Sequence, residues 1–178
     1  MIKVAFHNYN FFYLLYHLIF STLFGILKYL PSPLFDFFRY FLLKFFLGGL
    51  QTTHIRDGIT IYHPKKIFIS KNVSLNENIF MNGYGGIVIG ENTRIGHGCS
   101  FLSDEHIYKD KKKTMYLQGK IGKQIIIGKN CLIGAKVTFL KGVKIGNNCV
   151  VGSGAVVTKN FSKNSIIAGI PAKVIKKI

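Results

Sequence analysis

"IIIGKNCLIGAKV", residues 125–137, carries Ile-Gly at 127–128 and again at 133–134, with Cys131 and Val137 each four places after an Ile. A count of six belongs neither to a helix, which repeats near 3.6, nor to a strand, which repeats near 2. A larger unit is repeating. Downstream the beat falls on Phe139, Ile145, Val151 and Val157, and the fourth place after each holds Val143, Cys149, Ala155 and Phe161. Upstream it falls on Ile89, Ile95 and Phe101, with Thr93 and Cys99 in the fourth place. A short strand, a bend and a reset every six residues let three units close one triangular turn of eighteen, from Ile127 to Ile145. Such turns stack into a solenoid of parallel β coils, with the beat residue and the small fourth residue pointing inward. Asn130, Asn147, Asn148 and Asn160 suit the outward corners, because Asn tolerates left-handed backbone better than most residues.

Length and composition divide the chain into one domain and an appendage. Residues 9–50 hold ten of the sixteen Phe, whereas the remainder is rich in Gly, Lys and β-branched residues. The net charge is +17, and after residue 50 twenty basic residues face six acidic ones. No zinc-finger spacing, RNP-like signature or basic reading helix is present, so nucleic acid is the least supported partner for that charge. An anionic membrane surface, an anionic cofactor and solubility remain. Cys99, Cys131 and Cys149 all fall on the inward fourth place, which makes them small core residues in a reducing compartment rather than disulfide partners. No histidine triad suggests a metal.

The appendage, residues 1–50, contains an apolar run from Phe11 to Leu27 interrupted by His17, Ser21 and Thr22, slightly short of the ~20 residues that a spanning helix needs. Pro31 and Pro33 end it. Leu34 to Leu47 carries Asp36, Arg39 and Lys44 among Phe and Leu, the pattern of an interfacial helix. No small-residue cleavage site follows, which disfavours a signal peptide. Two readings stand: attachment to a membrane surface, and a pair of helices capping the open end of the solenoid.

Interruptions of the solenoid, residues 51–178, are where function is to be sought. Between Ile69 and Ile89 the spacing is twenty, with "MNGYGG" carrying the excess. Between Phe101 and Ile127 it is twenty-six, eight more than one turn, and a projecting loop is expected at about 104–124.

On these repeats, on "FLSDEHIY" and on the closing run "GKNCLIGAKVTFLKGVKIGNNCVVGSGAVVTKNFSKNSIIAGIPAKVIKKI", residues 55–178 closely resemble the hexapeptide-repeat acyltransferases, in particular sugar O-acetyltransferases of the maltose and galactoside kind and those decorating surface polysaccharides. The resemblance implies a left-handed parallel β-helix, although the spacing permits either hand. It implies a homotrimer with acetyl-CoA in the groove between subunits. It also implies His106, at the start of the projecting loop, as general base toward an acceptor hydroxyl, a task suited to an imidazole titrating near pH 6.5. Asp104 or Glu105 is the candidate to hold its other ring nitrogen, and Asn82 and Tyr84 belong on the acceptor side. For the donor it implies Gly134 and Ala135 beside the thioester, Ser153, Thr158 and Lys159 along the cofactor, and Lys173 and Lys176 facing phosphates. Leu132 stands where many members carry Trp. His97 reads as a plain corner residue, and His7, His17, His54 and His63 have no partner motif. The rival enzymes are an N-acetyltransferase of a nucleotide amino-sugar and a serine acetyltransferase, and the rival of another class is a silent membrane-anchored scaffold. The expected location is the cytoplasm, at the inner face of the cell membrane.

Overall fold

The computed structural model describes residues 11–178. Two helices, α1 (Phe11–Leu27) and α2 (Asp36–Phe46), precede a stack of three-stranded coils. The first coil is β1 (Gly49–Leu50), β2 (Thr53–Ile55) and β3 (Thr60–Tyr62), and the second is β4 (Ile67–Ile69), β5 (Val73–Leu75) and β6 (Phe80–Asn82). The third is β7 (Ile87–Ile89), β8 (Arg94–Ile95) and β9 (Ser100–Leu102), after which a hairpin of β10 (Asp104–His106) and β11 (Lys120–Gly122) projects. The fourth coil is β12 (Ile125–Ile127), β13 (Leu132–Ile133) and β14 (Thr138–Phe139), and the fifth is β15 (Lys144–Ile145), β16 (Val150–Val151) and β17 (Val156–Val157). β18 (Ser165–Ala168) opens a sixth, and β19 (Lys173–Lys177) folds back antiparallel on it.

Stacked coils form three parallel sheets. The first face runs β1-β4-β7-β12-β15, the second runs from β2 through β5, β8, β13 and β16 to β18 and β19, and the third runs β3-β6-β9-β14-β17. The register is strict: Ile127 pairs with Ile145, Ile133 with Val151, and Phe139 with Val157. Every beat residue named above is buried, as are all the fourth-place residues, so the core is a column of like side chains stacked coil on coil. Phe101 and Phe139 stack with ring centroids 4.8 Å apart. The three cysteines are free and buried, and burial raises the thiols of Cys99 and Cys131 above their ordinary range.

The corner between the first and second faces carries an Asn ladder. Asn72, Asn92, Asn130, Asn148 and Asn164 all have φ between 53° and 59°, and Asn72 donates to Asn92, Asn130 to Asn148, and Asn148 to Asn164 at 2.9–3.1 Å. Asn147 and Asn160 work differently, each accepting a backbone N–H of the preceding coil, from Lys129 and Lys144.

The register corrects the expected size of the projecting loop. Phe101 lies on the third face and Ile127 on the first, so they are separated by one corner, where the beat is six residues and not eighteen. The excursion is therefore twenty residues beyond the beat. α2 packs on β1 and β2, and Phe20, Phe24, Leu43 and Leu47 join the solenoid core.

Asn148→Ala is expected to cost about 2 kcal/mol, from a left-handed backbone without its tolerant side chain and the loss of two ladder hydrogen bonds. Asn148→Gly should recover roughly half of it, and chemical denaturation of both variants beside the parent measures the difference.

Candidate active site

All three insertions into the six-residue beat leave the solenoid at the corner between the third and first faces. From Ile61 to Ile69, and again from Met81 to Ile89, the step is eight residues, and from Phe101 to Ile127 it is twenty-six. The first excursion is His63 followed by a 3-10 turn, Pro64–Lys66, the second is the Gly83–Gly86 segment, and the third is the hairpin. Stacked on one edge, they bring His63, Asn82, Tyr84, Asp104 and His106 into one neighbourhood.

The polar contacts are specific. Asn82 Nδ2 donates to Asp104 Oδ1 at 2.6 Å, and the Asn82 side-chain oxygen accepts the Tyr84 N–H at 3.1 Å. Lys120, opposite His106 in the hairpin, pairs with the other Asp104 oxygen at 3.2 Å. Ser103, fully buried, donates to the Asn82 carbonyl and accepts the Gly85 N–H, which fixes the second excursion on the third. Glu105 pairs with Lys141 at 3.0 Å. Both carboxylates expected to orient His106 are thus engaged elsewhere, and neither reaches its imidazole; His106 itself is exposed at the hairpin base.

Beside this group opens a cleft of about 290 Å³ lined by Tyr13, His17, His63, Lys65, Lys66 and Tyr84. The Tyr13 hydroxyl and His63 Nδ1 are 3.1 Å apart, the His17 ring lies 4.2 Å from that of Tyr13, and the His63 ring lies edge-on to Tyr84 at 5.4 Å. Lys66 Nζ donates to the Tyr84 carbonyl at 2.9 Å. Burial lowers the pKa of His63, helped by His17, Lys66 and Lys120 and opposed by Asp104; burial and Lys65 lower that of His17. Tyr16, whose hydroxyl donates to the Phe46 carbonyl, is pushed up to about 12 by burial and by Tyr13.

His17 and His63 were without a role in the sequence. The eight-residue step over His63-Pro64 was the available signal, and the left-handed φ of 53° at His63 marks the same spot in the structure. His7 lies outside the described residues.

The donor-side candidates divide between two edges and a strand. Gly134, Ala135 and Ser153 lie at the corner between the second and third faces, and exposed His97 lies at the same corner one coil earlier. A Cβ on Gly134 would sit 2.5 Å from the Ser153 nitrogen, so the corner segments stack too closely for any other residue. The Gly134 N–H is committed to the Val151 carbonyl at 2.7 Å, while the Ala135 N–H is held only by the Ser153 hydroxyl at 3.1 Å. Gly154, next to it, faces open space. Thr158 and Lys159 fall on the His106 edge of the fifth coil, and exposed Lys173 and Lys176 lie on β19. Leu132 is exposed on the second face.

This fold and these repeats define a hexapeptide-repeat solenoid, and residues 124–159 match the family described as the hexapeptide repeat of succinyl-transferase. Among curated proteins, the chain is 35% identical over 102 residues to serine acetyltransferase 2 of Arabidopsis thaliana (57% of this chain, 30% of that protein). It is 33% identical over 119 residues to an Escherichia coli K12 protein provisionally named lipopolysaccharide biosynthesis O-acetyl transferase WbbJ (62% of this chain, 60% of that protein). The chain thus spans less than two thirds of the length of these relatives. Among solved structures, it superposes on a galactoside acetyltransferase in complex with coenzyme A (TM-score 0.81, 26% identity, 92% of this chain and 80% of that one). A hexapeptide-repeat-containing acetyltransferase of Vibrio cholerae O1 biovar eltor, complexed with acetyl coenzyme A, superposes with TM-score 0.79 at 25% identity (89% of this chain, 87% of that one). In repeat and in fold the chain is thus similar to hexapeptide-repeat acetyltransferases.

Because His63 has its pKa lowered in the fold, the unfolded chain takes up the proton first as pH falls. Stability is therefore expected to decline from about pH 6.5 downward. His63→Asn, which suits the left-handed backbone, should flatten that decline in denaturation curves taken between about pH 7 and pH 5; His17 leaves a residual slope of the same sign.

Proposed function

We propose that the protein transfers the acetyl group of acetyl-CoA to a sugar hydroxyl, in the building of a surface polysaccharide. The observation that carries this reading is the convergence of three excursions on one edge, which sets an exposed imidazole beside a fixed Asn82–Asp104–Lys120 array and a cleft lined by aromatic rings and cations. Such a lining suits a polyhydroxylated ring: Tyr84 offers a flat face, while Asn82 and Asp104 offer groups that hydroxyls can bond. His106 takes the proton of the attacking hydroxyl, and Asp104, already engaged by Asn82 and Lys120, serves the acceptor and not the imidazole. The similar acetyltransferases solved with coenzyme A or acetyl coenzyme A support the donor, which supplies a thioester carbonyl.

Small residues and open space at Ala135, Ser153 and Gly154 fit an extended chain laid along that corner. The Ala135 N–H is the candidate oxyanion donor, since a hydroxyl that swings away frees it. Lys173 and Lys176 are assigned to the phosphates as point charges, without the bidentate fork that Arg would bring. The His106 edge and the Ala135 edge lie on opposite sides of the third face. A homotrimer, in which one chain's His106 edge meets the next chain's Ala135 edge, completes the site. The same reading puts the enzyme in the cytoplasm, where free thiols such as the three buried cysteines persist.

His106→Ala is expected to lower kcat by about 10²–10⁴-fold while leaving acetyl-CoA affinity and the oligomer unchanged. Near-parental turnover in a thiol-release assay would remove His106 from the chemistry. Lys173→Ala with Lys176→Ala should raise KM for acetyl-CoA several-fold at low salt and less at physiological ionic strength, where the Debye length is ~8 Å. Steady-state kinetics at two salt concentrations checks the interaction.

A further inference from the structure

The appendage caps the solenoid, yet its outer surface is not that of a cap. Terminal units of a solenoid ordinarily turn a polar face to water. Here Phe12, Ile26, Phe37 and Phe45 are between 67% and 74% exposed. Leu23 and Ile26 of α1 and Phe38, Phe41 and Phe45 of α2 line a single groove of about 490 Å³, so the exposed stripes of the two helices form one continuous apolar face. Nothing in the catalytic reading uses it.

Its charges point to the occupant. Between residues 11 and 66 there are six basic residues and two acidic ones. Both acids are engaged internally: Asp36 holds Arg39, Arg56 and Ser32, and Asp57 accepts a second contact from Ser32. Lys28 lies 4.6 Å over the exposed Tyr29 ring, and Lys44 sits 6.0 Å from the Tyr40 ring, pairing each cation with an aromatic of the kind that settles at a headgroup layer. A second copy packed on this face would meet Lys44 with another basic surface and no free carboxylate to pair it. Among the described residues no helix is long and apolar enough to cross a membrane. At 17 residues α1 spans about 26 Å, short of the ~30 Å hydrocarbon core.

We propose that the outer face of α1 and α2 is a monotopic docking surface for an anionic lipid bilayer, with Phe37, Phe41 and Phe45 entering the acyl boundary and Lys44 facing the headgroups, while Lys28 is held inward by the Thr60 hydroxyl. Buried rings supply most of the affinity, and the cations add selectivity for negative surfaces. The inference is independent of the reaction assigned above, and its test has no catalytic readout.

The test is flotation of the full-length protein with vesicles of phosphatidylcholine alone and of phosphatidylcholine mixed with phosphatidylglycerol. The protein should float with the mixed vesicles and poorly with the neutral ones. Phe41→Ser combined with Phe45→Ser should weaken binding by about tenfold or more, since each ring removed from lipid forfeits its transfer free energy. Lys44→Glu should weaken binding to the mixed vesicles alone. Light scattering and circular dichroism follow assembly and folding. Absence of flotation with either lipid overturns the proposal, as does a change of oligomeric state in the Phe variant while the parent stays off vesicles, which would give the face to a second copy. Should the Phe variant misfold, Lys44→Glu decides: unchanged binding of this folded charge reversal to the mixed vesicles overturns the proposal.

Discussion

Parallel stacking of coils in strict register is the constraint on which everything else in the molecule rests. Each backbone strand must meet the same strand of the next coil at the ~4.8 Å spacing of a β ladder. An insertion inside a face would break two ladders at once and shift inward side chains outward. Extra residues can therefore leave only at a corner. The corner between the first and second faces has no such freedom, because its Asn residues are bonded side chain to side chain from Asn72 to Asn92 and again from Asn130 through Asn148 to Asn164. The corner between the second and third faces is closed by contact, as Gly96 over Ala135 and Gly134 over Ser153 leave no room for a Cβ. One corner remains, and all three excursions use it. Concentration of the polar cluster on one edge is thus a consequence of how the scaffold excludes insertions elsewhere.

The same constraint explains what could be read from the chain and what could not. The beat of Ile, Val and Phe with its small fourth residues exposes the coils directly, because inward packing demands those residue types wherever the register holds. The twenty-six residues from Phe101 to Ile127 were ambiguous: a gap counted along the chain does not say whether its ends share a face or adjoin across a corner, and only the ladder pairing of Ile127 with Ile89 decides. His106, Asn82 and Tyr84 could be singled out as candidates because they sit at breaks. His17 and Tyr13 were not, for they come from a helix whose docking on the coils leaves no periodic trace. The pairing of Asp104 with Asn82 and Lys120, in place of His106, depends on side-chain reach between excursions, which spacing does not encode.

Docking of that helix depends on one buried cation. Arg39, wholly inaccessible to solvent, donates from Nε to the Ile55 carbonyl, from Nη1 to the Leu27 and Leu30 carbonyls, and from Nη2 to Ser32 and Asp36. Five N–H groups meet five acceptors, so the guanidinium is satisfied without water. Its partners are the end of α1, the connection between the helices, the start of α2 and the first coil. A buried charge satisfied this way adds little net stability over an apolar core, but removing it would strand carbonyls from three segments at once. It also costs the surface its acid, since Asp36 is drawn inward to Arg39 and Arg56. The interior arrangement of the cap thereby leaves its outer face apolar and basic.

Rigid attachment of the helices has a further consequence for the cleft beside His63. Tyr13 and His17 reach it from α1, while His63, Lys65, Lys66 and Tyr84 belong to the first and second excursions, so the cleft exists only where helix and coils meet. The Lys65 ammonium lies 4.2 Å from the Tyr16 ring, tying the first excursion to the same helix. A surface that holds α1 in place therefore holds half of the cleft in place. The wall of the cleft and the apolar outer face belong to opposite sides of one helix, and any contact that shifted α1 would be felt at His17 and His63 before it reached the hairpin base. The scaffold thus joins its outer face to its polar edge through a single 17-residue element.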